Sequence, residues 1–289
     1  MVLRPLDVMP NGTRNPRQSP QEGPGPNVEA SRFLRKMKGG AQTCLIESAN
    51  GGAFVVKFTN NPQHSRVVMN EWIAACVFRH LGVATPETAV VNLSDDFIRE
   101  NPKVCMEHRS SGVPPTCGPH FGSRFPRVDV AVYDFLPDAS LNKVANVSDF
   151  LGALVADKWL GNTDSRQAIF FRDHGVRSPF VVQMIDNGHI FGGGVWRFAD
   201  SPLLGPYFGK VYDSVRSIKS FDPWLASVAS FPKTIFEDAF RRAPHSWSCG
   251  TDEAEFGKVV DQLMRRRGLV AGLIDECHAQ PNGRFPNWP

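Results

Sequence analysis

Residues 157–170 read DKWLGNTDSRQAIF, and the placement of two acids on either side of one glycine decides the fold. The preceding run, VSDFLGALVADKWLG, repeats its apolar residues at helical spacing, and Gly161 is placed to end that helix. Ser148 is the expected N-cap. Asp157 falls on the buried stripe of Phe150, Leu151, Leu154 and Val155, so a structural role is expected for it: bracing the following turn through Arg166 or backbone N–H groups. Asp164 lies beyond the stop, on an exit turn where a side chain is held firmly yet stays accessible. It is the better reactive acid.

Reading downstream, a strand over Ala168–Arg172 and a second one, PFVVQMI, deliver Asp186 followed by Asn187-Gly188. Acids presented by adjacent turns suit a hard divalent cation such as Mg²⁺, although Asp before Asn-Gly is also a common turn. Upstream, the strand AFVVKF (Ala53–Phe58) places Phe54, Val56 and Phe58 on one face and Val55 with Lys57 on the other. A lysine there either sits at a sheet edge and snorkels or meets a buried acid. Fourteen residues later, Glu71 shares a helical face with Val67, Ala74, Phe78 and Leu81; it is exposed if the helix is rotated, and needs a cation if it is not. Lys57 is its nearest partner in sequence.

Around these residues the chain divides by composition. Up to about Asn27 it carries Pro5, Pro10, Pro16, Pro20, Pro24 and Pro26 among polar residues, the mark of a flexible tail over 1–28. Three antiparallel strands are expected over Ala30–Phe58, broken at Lys38-Gly39-Gly40 and at Asn50-Gly51-Gly52. A helix over Arg66–Leu81 and a strand over Thr88–Leu93 follow. Residues 101–127, rich in Pro, Gly, Ser and Cys, read as a long loop. Val128–Phe135 alternates like a strand. Beyond residue 137 the pattern is mainly helical, with helices expected at Pro223–Ser230, Lys233–Arg242 and Glu253–Glu276.

With 42% hydrophobic residues and a net charge of +3 spread along the chain, a folded domain is expected and a nucleic-acid footprint is not. Six cysteines without CxxC pairs read as free thiols in a reducing compartment, and zinc is not expected. No apolar run is long enough to span a membrane and the first thirty residues lack a signal peptide's apolar middle, so a cytoplasmic location is the default expectation.

The pieces KGGAQ (38–42), VVKFTNNPQ (55–63), NEWIA (70–74), YDFLP (133–137), DKWLGNTDSRQ (157–167) and MIDNG (184–188), in this order, resemble the protein-kinase-like fold and more closely the HipA-like kinases. The resemblance covers roughly residues 30–230. It implies an α+β, two-lobed fold, with a β-rich N-lobe over 29–137 and a helical C-lobe over 138–289. It implies an ATP- and Mg²⁺-dependent phosphotransferase in which Lys57 contacts the α- and β-phosphates, Glu71 holds Lys57, Asp164 is the catalytic base or hydroxyl-orienting acid, and Asp186 binds Mg²⁺. Asp134, Phe135 and Leu136 would form the hinge beside adenine. Gly39 and Gly40 would cradle phosphate, with an ordinary hairpin turn as the equal alternative for the same residues.

The sequence departs from the family pattern at three places. Arg166 stands where a histidine is usual, and Ile169 where a second metal-binding Asn is usual, with Gln167 the nearest side-chain oxygen. Asn187 replaces the aromatic that follows the metal-binding Asp, and KGGAQ is shorter than a kinase glycine-rich loop. A nucleotide-binding scaffold without turnover and a small-molecule kinase stay open beside a kinase for protein Ser or Thr.

Overall fold

The computed structural model describes residues 25–37, 42–108, 111–127, 129–172, 178–281 and 284–289. Residues 1–24 of the expected tail, and Gly39 and Gly40, lie outside the described residues. The first strand, β1 (Asn27–Lys36), begins inside the stretch read as tail, with Val28 buried. It pairs antiparallel with β2 (Cys44–Ser48), which pairs with β3 (Ala53–Lys57). The hairpin between them turns at Gly51, in the left-handed region at φ 84°, with Ser48 Oγ donating to Asn50 Oδ1. Helix α1 (Val67–His80) ends where Gly82 takes φ 69°, and β4 (Thr88–Leu93) follows.

After α2 (Asp95–Glu100), the span expected to be a loop forms the short hairpin β5 (Met106–His108) and β6 (Ser111–Val113), and β7 (Gly118–Arg124). β7 inserts between β3 and β4, while β1 runs parallel to β4, closing a five-stranded barrel in the order β1-β2-β3-β7-β4. Its sequence, GPHFGSR, hides this role. Gly122 is required because a Cβ there would meet Val91 Cγ2 at 2.5 Å. Close packing, rather than strand propensity, selects its residues. Cys44, Ile46, Phe54, Val56, Phe58 and Val91 fill the barrel, each large side chain contributing about 1.5–3 kcal/mol by burial.

Among the described residues of the strand expected over Val128–Phe135, only Tyr133 makes a bridge, exchanging both backbone hydrogen bonds with Phe170 (2.9 and 2.8 Å). After the short α3 (Asp138–Leu141), α4 (Asp149–Leu160) runs through the larger core with every residue buried. Ser148 is not its capping side chain; Asp149 instead uses its carboxylate to accept from Ala84 N–H and Asn146 Nδ2, both at 2.8 Å. Gly161 ends α4 at φ 62°, ψ 50°, as expected.

β8 (Gln167–Phe171) and β9 (Val181–Ile185) form an antiparallel pair leading to Asp186. The last third holds α5 (Trp224–Ala229), α6 (Lys233–Arg242), α7 (Glu253–Arg266) and α8 (Val270–His278). The single helix expected over Glu253–Glu276 is thus two, separated by a tighter turn at Arg267–Leu269. Arg266 explains part of the bend: its guanidinium binds the Asp200 carboxylate and the carbonyls of Lys158 and Trp159 at the end of α4. α1 packs into this larger core, where Trp72 Nε1 donates to Ala239 O at 2.9 Å. No disulfide links the six cysteines, and no helix among the described residues is long and apolar enough to cross a membrane.

Candidate active site

Lys57 leaves the barrel on the face shared with Val55, opposite the packed face of Phe54 and Val56. Its ammonium sits between two acids: it bonds Glu71 Oε1 of α1 and Asp186 Oδ1 at 2.5 Å. Burial is the largest influence on this lysine and works to lower its pKa, but Glu71 and Asp186 together outweigh it and hold the ammonium above the ordinary lysine range. For Asp186 burial opposes ionisation, yet Lys57's charge and hydrogen bond keep the carboxyl below the usual carboxylate range. Lys57 and Asp186 are therefore both ionised at neutral pH.

Two local features hold Asp186 in place. It adopts φ 58°, a left-handed conformation that Asp tolerates better than most residues. Gly188, two residues on, lies so close to α1 that a Cβ would meet Val67 Cγ2 at 2.5 Å. The turn is then tied to the helix, for Glu71 Oε1 also accepts the Asn187 N–H at 3.0 Å. Gln167, the first residue of β8, donates its Nε2 to Asp186 Oδ2 at 2.9 Å.

The Asp164 turn is built from below. Asp157 forms a fully buried, two-pronged pair with Arg166, through Nε at 2.8 Å and through Nη2, and accepts from Asn162 Nδ2 at 2.9 Å. The bracing expected of Asp157 is what forms. Asn162 Oδ1 in turn accepts the Asp164 N–H at 3.1 Å, and Thr163 N–H donates to His189 O at 3.1 Å. Asp164 itself is half-buried; among the described contacts its carboxylate binds only Ser165, whose N–H donates to it at 2.7 Å.

Arg166 joins the two turns. While its Nε and Nη2 hold Asp157, its Nη1 donates to Ile185 O at 2.9 Å and Asn187 Oδ1 at 2.8 Å, bracketing Asp186. Its guanidinium also lies over the Phe78 ring of α1, 5.1 Å from the centroid.

The structure thus brings Lys57, Glu71, Asp186 and Gln167 into direct contact and fastens the Asp164 turn to the Asp186 turn. It does not bring the hinge candidates there: Asp134 and Phe135 are exposed, Leu136 is buried in the larger core, and none has a hydrogen bond with Lys57, Glu71 or Asp186 among the described contacts. Sequence reading assigned no role to Asn70, Asn162 or Asn187. Their signal was present only as polar residues beside the acids.

The barrel with one buried helix, the salt-bridged lysine and the acid-bearing turns of a helical half define a protein-kinase-like fold. Among solved structures the chain is similar to the Golgi casein kinase with Mn and ADP bound, at TM-score 0.53 and 15% identity over 89% of this chain and 74% of that one. It is similar also to hydra Fam20 with sugar, at TM-score 0.54 and 12% identity over 88% and 87%. No family model matches the chain, and no curated protein matches it in sequence.

Proposed function

We propose that the chain is an ATP- and Mg²⁺-dependent phosphotransferase, HipA-like in kind, that moves the γ-phosphoryl group of ATP to a hydroxyl, that of a protein Ser or Thr. The observation that carries the reading is the buried Lys57 shared by Glu71 and Asp186 within a kinase-like fold. Lys57 compensates the charge of the α- and β-phosphates, and Glu71 fixes its ammonium. Asp164 orients the acceptor hydroxyl and takes its proton as the new O–P bond forms and the bond to the β-phosphate oxygen breaks. Gly39 and Gly40, outside the described residues, are the proposed phosphate-contacting glycines.

The nucleotide lies between a lobe at 29–137 and a helical lobe at 138–289. Asp134, Phe135 and Leu136, which follow Tyr133 and its bridge to β8, are the hinge this reading sets beside the base. Leu45 pairs in register with Val55, two residues before Lys57, which places both on the lysine's side of the barrel as cover for the base.

The donor set fits Mg²⁺. Asp186 offers a carboxylate and Gln167 a carboxamide beside it, and no cluster of three or more His, Cys, Asp or Glu among the described residues forms an all-protein cage. One or two protein oxygens completed by phosphates and water are what this ion takes in nucleotide sites. Bound there, Mg²⁺ would supply charge neutralisation of the phosphate oxygens.

One observation favours a second reading, a nucleotide-binding scaffold: Ile169, at the second-metal position, is buried in β8 and offers no oxygen. Thermal shift with ATP and Mg²⁺, followed by mass spectrometry for ADP and for phosphate on the chain, separates the two. Phosphotransfer predicts stabilisation together with ADP that disappears in Asp164→Asn. Stabilisation without ADP supports the scaffold, and neither signal sinks both readings.

A further inference from the structure

We infer that Asn70 is a positioning residue for phosphotransfer: its side-chain amide clamps the backbone that follows Asp186 onto α1 and so sets the relation between Glu71, Lys57 and Asp186. The inference rests on the phosphotransferase reading. It begins from an amide with no exposed surface. Asn70 Nδ2 donates to the carbonyls of Gly188 (2.8 Å), Gly193 (3.1 Å) and Ile190 (3.2 Å), and its Oδ1 accepts from Trp196 Nε1 at 2.8 Å. Three acceptors on one end and an indole donor on the other fix which end is nitrogen.

The segment it grips cannot satisfy itself. Phe191, Gly192, Gly193 and Trp196 all have positive φ (60°, 74°, 76° and 51°), so the backbone between Gly188 and Trp196 runs neither as regular helix nor as strand. Its inward carbonyls need donors, because a buried carbonyl left unpaired is costly. Asn70 supplies them from the residue next to Glu71. The two consecutive side chains thereby hold one turn from both ends: Glu71 takes the Asn187 N–H, and Asn70 takes the carbonyls beyond it.

Two further residues bear on the same segment. His64 Nε2 lies 3.0 Å from Gly188 O, and Arg66 covers the Trp196 ring at 4.4 Å while donating to Gly194 O at 3.3 Å. These come from residues before α1, whereas Asn70 comes from within it. Asn70, together with Glu71 beside it, therefore transmits a displacement of α1 directly to the turn carrying Asp186. An aspartate at 70 keeps the volume but sets a carboxylate against three carbonyl oxygens.

The test compares wild type, Asn70→Asp and the milder Trp196→Phe, which removes only the indole bond from the clamp. ADP formation is followed with ATP and Mg²⁺, and amide hydrogen exchange is measured over 187–196. Misplacing the reacting groups predicts kcat reduced about 100-fold in Asn70→Asp, with KM for ATP changed less than about threefold and faster exchange confined to that segment. Wild-type kcat in a folded Asn70→Asp protein overturns the inference, as does a loss expressed only in KM. Should Asn70→Asp fail to fold, Trp196→Phe decides: a severalfold loss of kcat at constant KM supports the clamp, and wild-type kcat overturns it. A wild-type protein that forms no ADP removes the phosphotransferase reading itself, whereas an active wild type with unaffected variants refutes the clamp alone.

Discussion

Asp157→Asn tests the brace beneath the site. Both members of the Asp157–Arg166 pair are 0% exposed, and the carboxylate accepts from Arg166 Nε, Arg166 Nη2 and Asn162 Nδ2. Asparagine conserves volume while removing the charge and turning one acceptor into a donor that faces guanidinium N–H groups. Arg166 then keeps only neutral partners, Ile185 O, Asn187 Oδ1 and the Phe78 ring. Deleting one partner of a buried ion pair costs about 3–5 kcal/mol. For 289 residues the unfolding entropy is about 0.6 kcal/mol/K, so the melting temperature should fall by about 5–8 °C. Thermal melts of Asp157→Asn, Arg166→Met and the double variant Asp157→Leu/Arg166→Met check this. The double variant should melt above either single one, because an apolar pair of similar volume strands no charge. An Asp157→Asn protein that melts within about 1 °C of wild type refutes the brace.

Three other outcomes follow from single contacts. Gly122→Ala, whose Cβ meets Val91 Cγ2 at 2.5 Å, should cost about 1–3 kcal/mol in urea unfolding, and Val91→Ala in the same chain should recover part of it. Lys57→Met leaves Glu71 buried without its cation and should destabilise by about 3 kcal/mol and, on the proposed phosphotransferase reading, abolish transfer; Lys57→Arg restores the charge but not the compact geometry. His120 is wholly buried, accepting from Thr59 N–H through Nδ1, and burial pulls its pKa from 6.5 down to about 4. Its folded-state value is depressed, so its contribution is complete above pH 6.5 and is lost as pH falls towards about 4. The loss is about 3 kcal/mol, and His120→Gln should flatten the stability profile across that window.

How far each element could be read from sequence depended on what selected its residues. β2, β3, α1 and β4 were legible because alternation or helical spacing chose their apolar residues and Gly51 and Gly82 punctuated them. β7 was invisible because its neighbours make it a strand: it pairs on both sides, and Gly122 is there to admit Val91. Val128–Phe135 failed in the opposite sense. Its apolar alternation is that of a strand, yet the barrel already closes without it, and among its described residues only Tyr133 finds a strand partner.

At the site, charge is what made residues readable. A lysine and a glutamate in apolar surroundings each demand a partner, and that demand pointed to the Lys57–Glu71 contact. Asn70 makes no such demand visible, since α1 is buried on almost every side and a helical wheel cannot single out one uncharged amide. The departures from the kinase pattern at 166 and 187 looked independent in the sequence. In the structure they are hydrogen-bonded to each other, Arg166 Nη1 to Asn187 Oδ1 at 2.8 Å. A buried guanidinium needs acceptors, and Asn187 provides one while Asp157 balances the charge. Arg166 and Asn187 therefore belong together as one polar joint between the turns of Asp164 and Asp186, and a variant at either one breaks the same contact.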